Sequence, residues 1–308
     1  MIDWSPNDGM SATDSSTGAV AASVIVPVLD EAEHLDECLT ALTSQDTPNG
    51  PYEVIVVDNG STDGSLEILE RWPGVKVLQE AGGDAYVARN RGIEAARGSL
   101  LAFTDGDCRV STDWLQVLQA AMRRADVVIG RLAYPEGSSG WLQLYEDYYN
   151  AKTEWLFENS LSECFYGHGG NMGLRAELLT RVGLFRETPL AGDTEILHRL
   201  QTADSDLIIH YEGKLVVTHL EVRSLRDLLR KQVRYGAYTR SLSGVLGYRP
   251  LTMCERWQAM RRCVHRNGYG PLRVVGLVVV LGMGFLSYGI GGLMTRRSPG
   301  ARESGATR

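Results

Sequence analysis

The sequence predicts an α/β fold in which a mostly parallel sheet carries helices on both faces. Short apolar runs alternate with segments of helical spacing, and no repeat of fixed period is evident. A chain of 308 residues is also long enough to bury a full core. The predicted strands are 23–28, 52–58, 75–78, 100–104 and 126–130. Helices are predicted between them, for example over 31–43 and 85–97.

Charge divides the chain into an acidic front and a basic tail. Residues 1–220 hold 15 basic and 34 acidic residues, whereas residues 221–308 hold 16 and 4. The five cysteines are scattered and include no C-x-x-C pair, so neither a disulfide framework nor a zinc framework is expected. Residues 1–20 are rich in Ser, Thr, Asp and Gly, which is typical of a disordered tail.

The basic tail contains a membrane candidate. Residues 274–294 are 21 uncharged residues, long enough to cross roughly 30 Å of hydrocarbon at about 1.5 Å per residue. A buried core helix and a re-entrant or interfacial segment are the alternatives. Just upstream, 221–242 is a basic amphipathic stretch that could lie on an anionic membrane, or could simply be a solvated helix.

Two aspartates follow the predicted strand 100–104. Asp105 and Asp107 lie two residues apart, so both carboxylates can project into the crevice at the carboxyl end of the sheet, where open α/β sheets bind ligands. Two carboxylates so close repel unless a cation lies between them. Mg²⁺ and Mn²⁺ bind through carboxylates and substrate phosphates. The pair therefore favours a metal and diphosphate site, with an Asp-Gly-Asp turn as the alternative.

Polar residues also follow the first two strands. Pro27, Asp30 and Glu31 come where a dinucleotide-binding fold would need a glycine-rich loop, so a Rossmann cofactor is disfavoured. Asp58 ends the second strand, where its carboxylate could accept hydrogen bonds from a base or a ribose. Capping of the next helix is the simpler alternative.

Later segments add charged candidates. Arg89 and Arg91, before the aspartate strand, could contact a phosphate or a base, or could be surface residues. Asp193 and Glu195 open a predicted helix after a loop, which would place a carboxylate to act as a general base. A helix-capping role is the alternative for Asp193.

In this order and spacing, residues 22–240 resemble a family 2 glycosyltransferase of the GT-A fold. SVIVPVLDE at 23–31 resembles the first-strand motif that lines the nucleotide pocket, and Asp58 stands where the family holds the uracil or ribose. Asp105 and Asp107 match the family's D-x-D motif, which implies that Asp107 binds the metal and that Asp105 lies nearer the ribose. The resemblance assigns nucleotide-sugar binding to Pro27, Asp30, Glu31, Asp58, Arg89 and Asp105.

The resemblance continues on the acceptor side. GHGGNMGLRAELLTRVGLF at 167–185 resembles the acceptor-side segment, which implies such roles for Asn171 and Arg175 and, further along, for Glu195. Asp193 matches the aspartate of the family's Glu-Asp pair and is the implied catalytic base. His219 resembles a histidine that in some relatives completes the metal or diphosphate site.

The sequence departs from the family pattern at three places. Gly192 replaces the glutamate that normally precedes the base. Val28, Leu29 and Asp30 stand where Thr, an aromatic residue and Asn are common, which leaves the nucleotide open. The stretch 232–235, QVRY, is one residue short of the Q-x-x-R-W signature of processive synthases, so we expect transfer of a single sugar.

The resemblance implies an inverting, metal-dependent transfer from a nucleotide-sugar, with a UDP-sugar favoured and Mg²⁺ or Mn²⁺ as the cofactor. The implied acceptor is membrane-associated, with a polyprenyl- or dolichyl-phosphate-linked acceptor favoured, in glycan or glycoprotein assembly. Since activated sugars are cytosolic, we expect a protein of the cell membrane whose catalytic domain faces the cytoplasm, and no nucleic-acid partner. The expected parts are a 1–20 tail, a 21–220 catalytic domain, 221–272 basic membrane-proximal helices, a 273–295 transmembrane or membrane-inserted segment and a 296–308 tail.

Two other functions fit parts of the pattern. A nucleotidyltransferase shares the carboxylate and metal chemistry, but it should carry a glycine-rich, basic loop after the first strand, and PVLDE is neither. A non-catalytic, membrane-tethered scaffold that binds nucleotides would tolerate loss of either carboxylate, whereas both are present here.

Overall fold

A computed structural model of the chain describes residues 20–46, 50–80, 82–187, 191–237 and 247–294. The predicted tails 1–20 and 296–308 lie outside the described residues, apart from residue 20. The strands are β1 (Ala22–Val28), β2 (Tyr52–Asp58), β3 (Lys76–Gln79), β4 (Leu100–Thr104), β5 (Cys108–Val110), β6 (Val127–Ala133), β7 (Asn171–Arg175) and β8 (Ile209–His219). The α-helices are α1 (Leu35–Thr43), α2 (Ser65–Leu69), α3 (Ala85–Glu94), α4 (Trp114–Ala121), α5 (Gly140–Glu158), α6 (Glu177–Val182), α7 (Gly192–Ala203), α8 (Leu225–Ala237), α9 (Met253–Arg266) and α10 (Pro271–Met294).

The strands form one sheet in the order β3-β2-β1-β4-β7-β6-β8-β5. The pairs β1–β2, β2–β3 and β1–β4 are parallel, and β6 is parallel to β8. β7 is antiparallel to both β4 and β6, and β5 is antiparallel to β8, so the sheet is more mixed than the sequence predicts. β7 enters the sheet at the carboxyl end of β4, because its first residue, Asn171, pairs with Thr104.

Both faces of the sheet are covered, as predicted. Alternate residues of a strand point to opposite faces. Val24 of β1 belongs to a buried cluster with Leu39 of α1 and with residues of α4, whereas its neighbour Ile25 belongs to another with Ile93 of α3 and with residues of α7. The α/β fold with helices on both faces is therefore confirmed.

The strand order reverses beside β1. From β1 the chain moves outward through β2 and β3, and it then returns to place β4 on the other side of β1. Pairing of β1 with β4 stops at Ile25, while pairing with β2 continues to Val28. Pro27 lies in the stretch that has left β4, where its missing N–H costs no hydrogen bond to that strand. Such a switch point opens a crevice at the carboxyl ends of the strands.

The last helices pack on the outside of this sheet domain. α8 and α9 fall within the predicted basic region, and α10 covers the predicted apolar segment almost completely. α10 has the length and composition to cross a membrane, with 22% of its most apolar window buried inside the protein. It packs on α8 and α5, while α9 packs on α5.

Candidate functional site

The two aspartates after β4 are each paired with a different basic group. Asp105 forms an ion pair with Arg89 of α3. The Oδ2 atom of Asp107 lies 3.2 Å from Nδ1 of His219, at the end of β8. Pairing of β5 with β8 places Cys108 opposite His219, which fixes this contact. The pairing of the short strand β5 with β8 therefore places two candidate metal ligands, Asp107 and His219, side by side although they are far apart in sequence.

Arg89 is buried, and it contacts protein groups. Its side chain is only 5% exposed, and its guanidinium carbon lies 5.1 Å from the centre of the Tyr86 ring. A Cβ atom added at Gly169 would lie 2.9 Å from the guanidinium, so this loop packs directly on it. The geometry favours a role in orienting the Asp105 carboxylate. Arg91, by contrast, is an exposed residue paired with Glu94 at 3.6 Å.

Asp107 is buried but remains charged. Burial alone would raise the pKa of this carboxyl, but the charge and hydrogen bond of His219, together with the charge of Lys231, hold the pKa well below its usual range. Asp107 is therefore an anion at neutral pH, which is the form that binds a metal ion or accepts hydrogen bonds.

Glu31 shows that negative charge is in excess here. Burial, followed by the charges of Asp107, Glu221 and Asp105, raises the pKa of Glu31 to about 8, against an opposing effect of Lys231. Glu31 packs on the aspartate turn, because a Cβ atom added at Gly106 would lie 3.2 Å from its Cγ. Several carboxylates that converge in this way favour a bound cation.

The donor atoms fit a divalent metal. Ligand atoms of Asp107, Cys108 and His219 lie within 4.8 Å of one another, and all three residues are buried. Carboxylate oxygens suit Mg²⁺ and Mn²⁺, and an imidazole nitrogen is an acceptable ligand for a transition metal. Burial raises the pKa of Cys108 well above its usual range, so this thiol is neutral and is the weakest donor of the three.

A glycine-rich loop at 167–170 joins this centre to Asp193. The backbone N–H of Gly169 donates to Oδ2 of Asp193 at 2.8 Å. A Cβ atom added at the next residue, Gly170, would lie 2.7 Å from Oδ2 of Asp105. Consecutive residues of one loop therefore contact the implied base and the D-x-D motif, and a side chain at either glycine would separate them. Asp193 opens α7, and its Oδ1 accepts from the N–H of Thr194 at 2.8 Å.

The structure gives a physical reason for Gly192. A Cβ atom there would lie 2.9 Å from the Tyr86 ring, so a glutamate would displace this ring. Burial, followed by the charge of Asp193, raises the pKa of Tyr86 well above its usual range, so its hydroxyl stays protonated beside that carboxylate. Tyr86 occupies the space that the family's glutamate would need.

The predicted nucleotide residues lie in the loops after β1 and β2. Asp30, which has a positive φ of 56°, accepts from the N–H of Thr62 at 2.7 Å, and its own N–H donates to Ser61. Asp58 is buried, and it accepts from the N–H groups of Gly60 and Ser61 at 3.2 and 3.3 Å. The bonds of Asp30 tie the two loops together, those of Asp58 shape its own loop, and each carboxylate retains lone pairs for a ligand.

Three residues with implied acceptor-side roles have partners within the fold. Asn171 is fully buried, and it accepts from Nε1 of Trp114 and donates to two backbone carbonyls, all at 2.9 Å. Arg175 pairs with Leu100 at the start of β4, the end of the sheet opposite the aspartates. Glu195 forms ion pairs with Arg199 and Arg186. The structure does not bring these three side chains to the cleft, and we leave them out of the proposed site.

Other residues join the cleft without having been assigned to it from the sequence. Lys231 of α8 places Nζ 3.2 Å from Nδ1 of His219 and 3.5 Å from Glu221, although the sequence indicates it only as part of the basic amphipathic stretch 221–242. The rings of His168 and His219 meet edge to face at 6.0 Å, and burial lowers the pKa of His168 to about 3. The sequence could have indicated Tyr86 as a residue of the cleft, because it lies three residues before Arg89 and therefore on the same face of the helix.

This arrangement is typical of enzymes that act on nucleotide-sugars, and comparison with known proteins agrees. The sequence profile named "Glycosyl transferase family 2" matches residues 23–183. The protein is 32% identical over 223 residues to Glycosyltransferase AglE of Haloferax volcanii, an alignment that covers 70% of this chain and 71% of the relative. The chain belongs to glycosyltransferase family 2, and it transfers sugar from a nucleotide-sugar. This membership sets aside the nucleotidyltransferase alternative.

Solved structures confirm the GT-A fold. The chain is similar to a mannosyltransferase from Pyrobaculum calidifontis, solved with GDP-Man and Mn²⁺, with a TM-score of 0.57 and 18% identity over 91% of this chain and 86% of the other. It is also similar to TarS residues 1–349 of Staphylococcus aureus, solved with UDP-GlcNAc, with a TM-score of 0.52 and 18% identity over 87% and 82% of the two chains.

Proposed function

We propose that this glycosyltransferase transfers one sugar, with inversion and with a divalent metal, from a UDP-sugar to a lipid-linked acceptor at a membrane. The observation that carries the proposal is the contact of one loop with both Asp193 and Asp105. Through that loop, the base and the donor-binding carboxylates form a single site.

The donor lies across the carboxyl ends of β1, β2 and β4. Asp58 and Asp30 hold the base and ribose, in two loops that the hydrogen bonds of Asp30 tie together. Asp105, oriented by Arg89, lies nearer the ribose and the sugar. The relatives bind UDP-GlcNAc in one case and GDP-Man in another, so the nucleotide is a matter for direct measurement.

Asp107 and His219 hold the metal, with Glu31 beside them. When bound, the ion neutralises charge on the diphosphate and makes it a better leaving group. Lys231 supplies a second positive charge on the same side, at the position of its contact with His219. The chain's own residues thus provide the positive charge that a departing nucleoside diphosphate needs.

Asp193 is the general base. Its Oδ2 is held by the Gly169 N–H and its Oδ1 by the Thr194 N–H, so the carboxylate has a fixed direction and still has lone pairs free. Asp193 takes the proton of the acceptor hydroxyl while that oxygen attacks the anomeric carbon. The bond from that carbon to the diphosphate breaks in the same step, and a single displacement inverts the configuration.

The acceptor is anionic and membrane-bound, such as a polyprenyl phosphate or a glycan carried on one. Basic side chains on α8 and just before it border the approach to the cleft, namely Arg223, Arg226, Arg230, Lys231 and Arg234. Arg223 and Arg234 pair with Glu33 and Glu221, and Arg230 pairs loosely with Asp227 at 3.9 Å. Arg226 has no ion pair within the described residues, so Arg226 and then Arg230 are the most open to an anionic headgroup. Because activated sugars are cytosolic, the cleft faces the cytoplasm at the cell membrane.

The test compares Asp193→Asn with Glu195→Gln, two substitutions on the same turn of α7. The full chain in detergent is given a radiolabelled UDP-sugar, Mn²⁺ and a polyprenyl phosphate. We expect Asp193→Asn to lower the transfer rate about 10² to 10⁴-fold with little change in UDP affinity. Glu195→Gln, which loses only ion pairs to two arginines, should keep transfer within a few-fold. Full transfer by Asp193→Asn would remove this residue from the role of base.

A further inference from the structure

Helix α10 exposes one apolar stripe along its whole length. Residues at helical spacing are on the surface, among them Leu272 at 89% exposure, Val275 at 61% and Leu286 at 71%. The members of the stripe are Leu272, Val275, Val278, Val279, Phe285, Leu286, Ile290, Leu293 and Met294. The helix has 24 residues, so the stripe is about 33 Å long. An apolar patch of this length on a protein surface marks a contact with a partner or a membrane.

The opposite face of α10 is bound to the protein from end to end. Near its start, a Cβ atom at Gly276 would lie 3.1 Å from Leu144 of α5. Near its end, a Cβ atom at Gly291 would lie 2.9 Å from the backbone N of Ala237, and Gly236 packs as closely on Tyr288. Such close approach of two helix backbones is possible because the contact residues are glycines. α10 therefore lies along α5 and α8 and does not extend away from the domain.

Arginines flank α10 on both sides. On the α9 side, the guanidinium of Arg256 lies 5.1 Å from the ring of Phe285, and Arg261 shares a shallow depression with Trp257 and Val274. On the α8 side, Arg226 and Arg230 line another depression with Ser287. Within the part of the chain that the structure describes, no ion pair involves Arg226, Arg256 or Arg261.

These positions conflict with a helix that crosses the bilayer. Phe285 lies close to the middle of α10, so a perpendicular crossing would bring Arg256 near the bilayer centre. It would also carry the charged residues of α8 into hydrocarbon, where a charged side chain is strongly disfavoured. A helix that lies parallel to the surface instead places the apolar stripe below the headgroups and the flanking arginines among their phosphates.

We propose that α10, with the adjoining exposed residues of α9, is a monotopic membrane-binding surface that lies in the plane of an anionic leaflet. On α9, Met253 at 77% exposure and Trp257 at 57% extend the same surface, and tryptophan favours the membrane interface. The proposal deepens the membrane association proposed above. Its tests use neither donor nor acceptor, so its failure is distinct from failure of the proposed chemistry.

The first test is vesicle flotation of the full chain. The probes are vesicles of phosphatidylcholine with and without phosphatidylglycerol. We expect binding that increases with the anionic lipid and weakens with salt. The double variant Val279→Asp and Leu286→Asp should lower the bound fraction roughly tenfold or more, because two exposed apolar side chains no longer enter the leaflet. Val77→Asp, on the far edge strand β3, is the matched control and should bind as the wild type does. Retained thermal stability of the double variant excludes misfolding.

The second test measures how deeply each part of α10 lies in the membrane. Single cysteines at Val275, Val279, Leu286 and Ile290 are placed in a Cys254→Ser background, since Cys254 is the exposed one of the five cysteines. Each carries a fluorophore that is quenched by spin-labelled lipids. An in-plane helix gives four similar depths, about 5 to 10 Å into the boundary region. Depths that change along the helix, deepest at Val279 and Leu286, would establish a crossing and overturn the proposal. Labels that lipids do not quench, together with a dimer in solution, would assign the stripe to a second copy and overturn it equally.

Discussion

The cleft and the exposed face of α10, called here the outer face, both depart from the usual distribution of side chains, in which charged residues are exposed and apolar residues are buried. The cleft buries charge: Arg89, Asp107 and His219 are each no more than 6% exposed. The outer face exposes apolar surface, with Leu272 and Leu286 among the most exposed large apolar side chains of the described residues. Buried charges need ionic partners, and exposed apolar stripes need an apolar one. We therefore expect each region to be completed by a different partner, the cleft by a charged ligand and the outer face by an apolar one.

Helix α8 connects the two regions. One side of it directs Lys231 toward His219 and Asp107, and another side packs Gly236 against α10. The same helix therefore contacts the proposed diphosphate site and the proposed membrane surface. This geometry would hold the cleft at a fixed distance from the headgroups where a lipid-linked acceptor lies.

The largest expected effect of the remaining substitutions concerns Asn171, which we assign to the fold and not to the acceptor. Asn171→Leu leaves the Trp114 N–H and two carbonyls without their partner, so we expect a loss of about 3 kcal/mol in the free energy of unfolding. Urea unfolding measures it, with the exposed Asn159→Leu, which loses a single hydrogen bond to the backbone carbonyl of Trp155, as a control expected to change by about 1 kcal/mol or less. A stable Asn171→Leu protein with a raised acceptor KM would instead restore the acceptor role.

A smaller effect is expected for UDP affinity, and it should differ between residues on the two sides of α8. Lys231→Met removes a cation beside the diphosphate site, and we expect UDP affinity with Mn²⁺ to fall about 10 to 100-fold. Arg230→Met, the adjacent residue on the outer side, should leave UDP affinity unchanged and weaken vesicle binding slightly. Calorimetric titration and flotation measure the two quantities. Equal losses of UDP affinity in both variants would show that Lys231 and Arg230 do not have separate roles, one at the diphosphate site and the other at the membrane.

A pH dependence of stability is expected at Lys152 of α5. Burial, followed by the charge of Arg256, lowers the pKa of Lys152 to about 7, and its Nζ lies 4.6 Å from the ring centres of Tyr149 and Tyr166. Between this pKa and the ordinary value of 10.5, the unfolded chain binds more protons than the folded chain at this residue, so its contribution makes stability rise with pH. Below about pH 7 both states are protonated, and the cost of the buried charge is fully present.

Lys152→Met should remove this contribution. The variant should be more stable than the wild type near neutral pH and below, and the difference should shrink as the pH rises toward about 10. Urea unfolding of both proteins across this range provides the comparison. A stability difference that is constant with pH would show that the Lys152 pKa is not shifted.

The local pattern of apolar residues predicted the N-terminal part of the fold well. β2 and β4 have the bounds that their apolar runs predict, and the aspartates follow β4 as expected. β5 was missed because it has three residues and follows a turn sequence, and β7 was missed because its antiparallel position depends on where α5 returns the chain. The pairing of Asp107 with His219 joins residues 112 positions apart, and no local signal specifies such a contact.

The positions of residues within the family's motifs predicted side-chain contacts less well than the apolar pattern predicted the strands. It indicated Asp193 and the loop at 167–170 as neighbours of the site, but Asn171 and Arg175 find partners supplied by β6, α4 and the opposite end of the sheet. Hydropathy likewise identified α10 as a membrane candidate. It could not indicate orientation, because orientation depends on which face α5 and α8 cover.

The most direct test of the account is a thermal-shift panel on the full chain in detergent, with UDP, GDP, CDP and dTDP, each with Mn²⁺, Mg²⁺ or EDTA, for the wild type and Asp107→Asn. A ligand at about 100 times its Kd should add roughly 2.7 kcal/mol of stability. We expect one nucleotide, UDP by preference, to raise Tm only with metal and only in the wild type. A nucleotide shift that persists in EDTA or in Asp107→Asn would contradict the metal site, and no shift with any of the four would contradict the assignment of the cleft to a nucleotide.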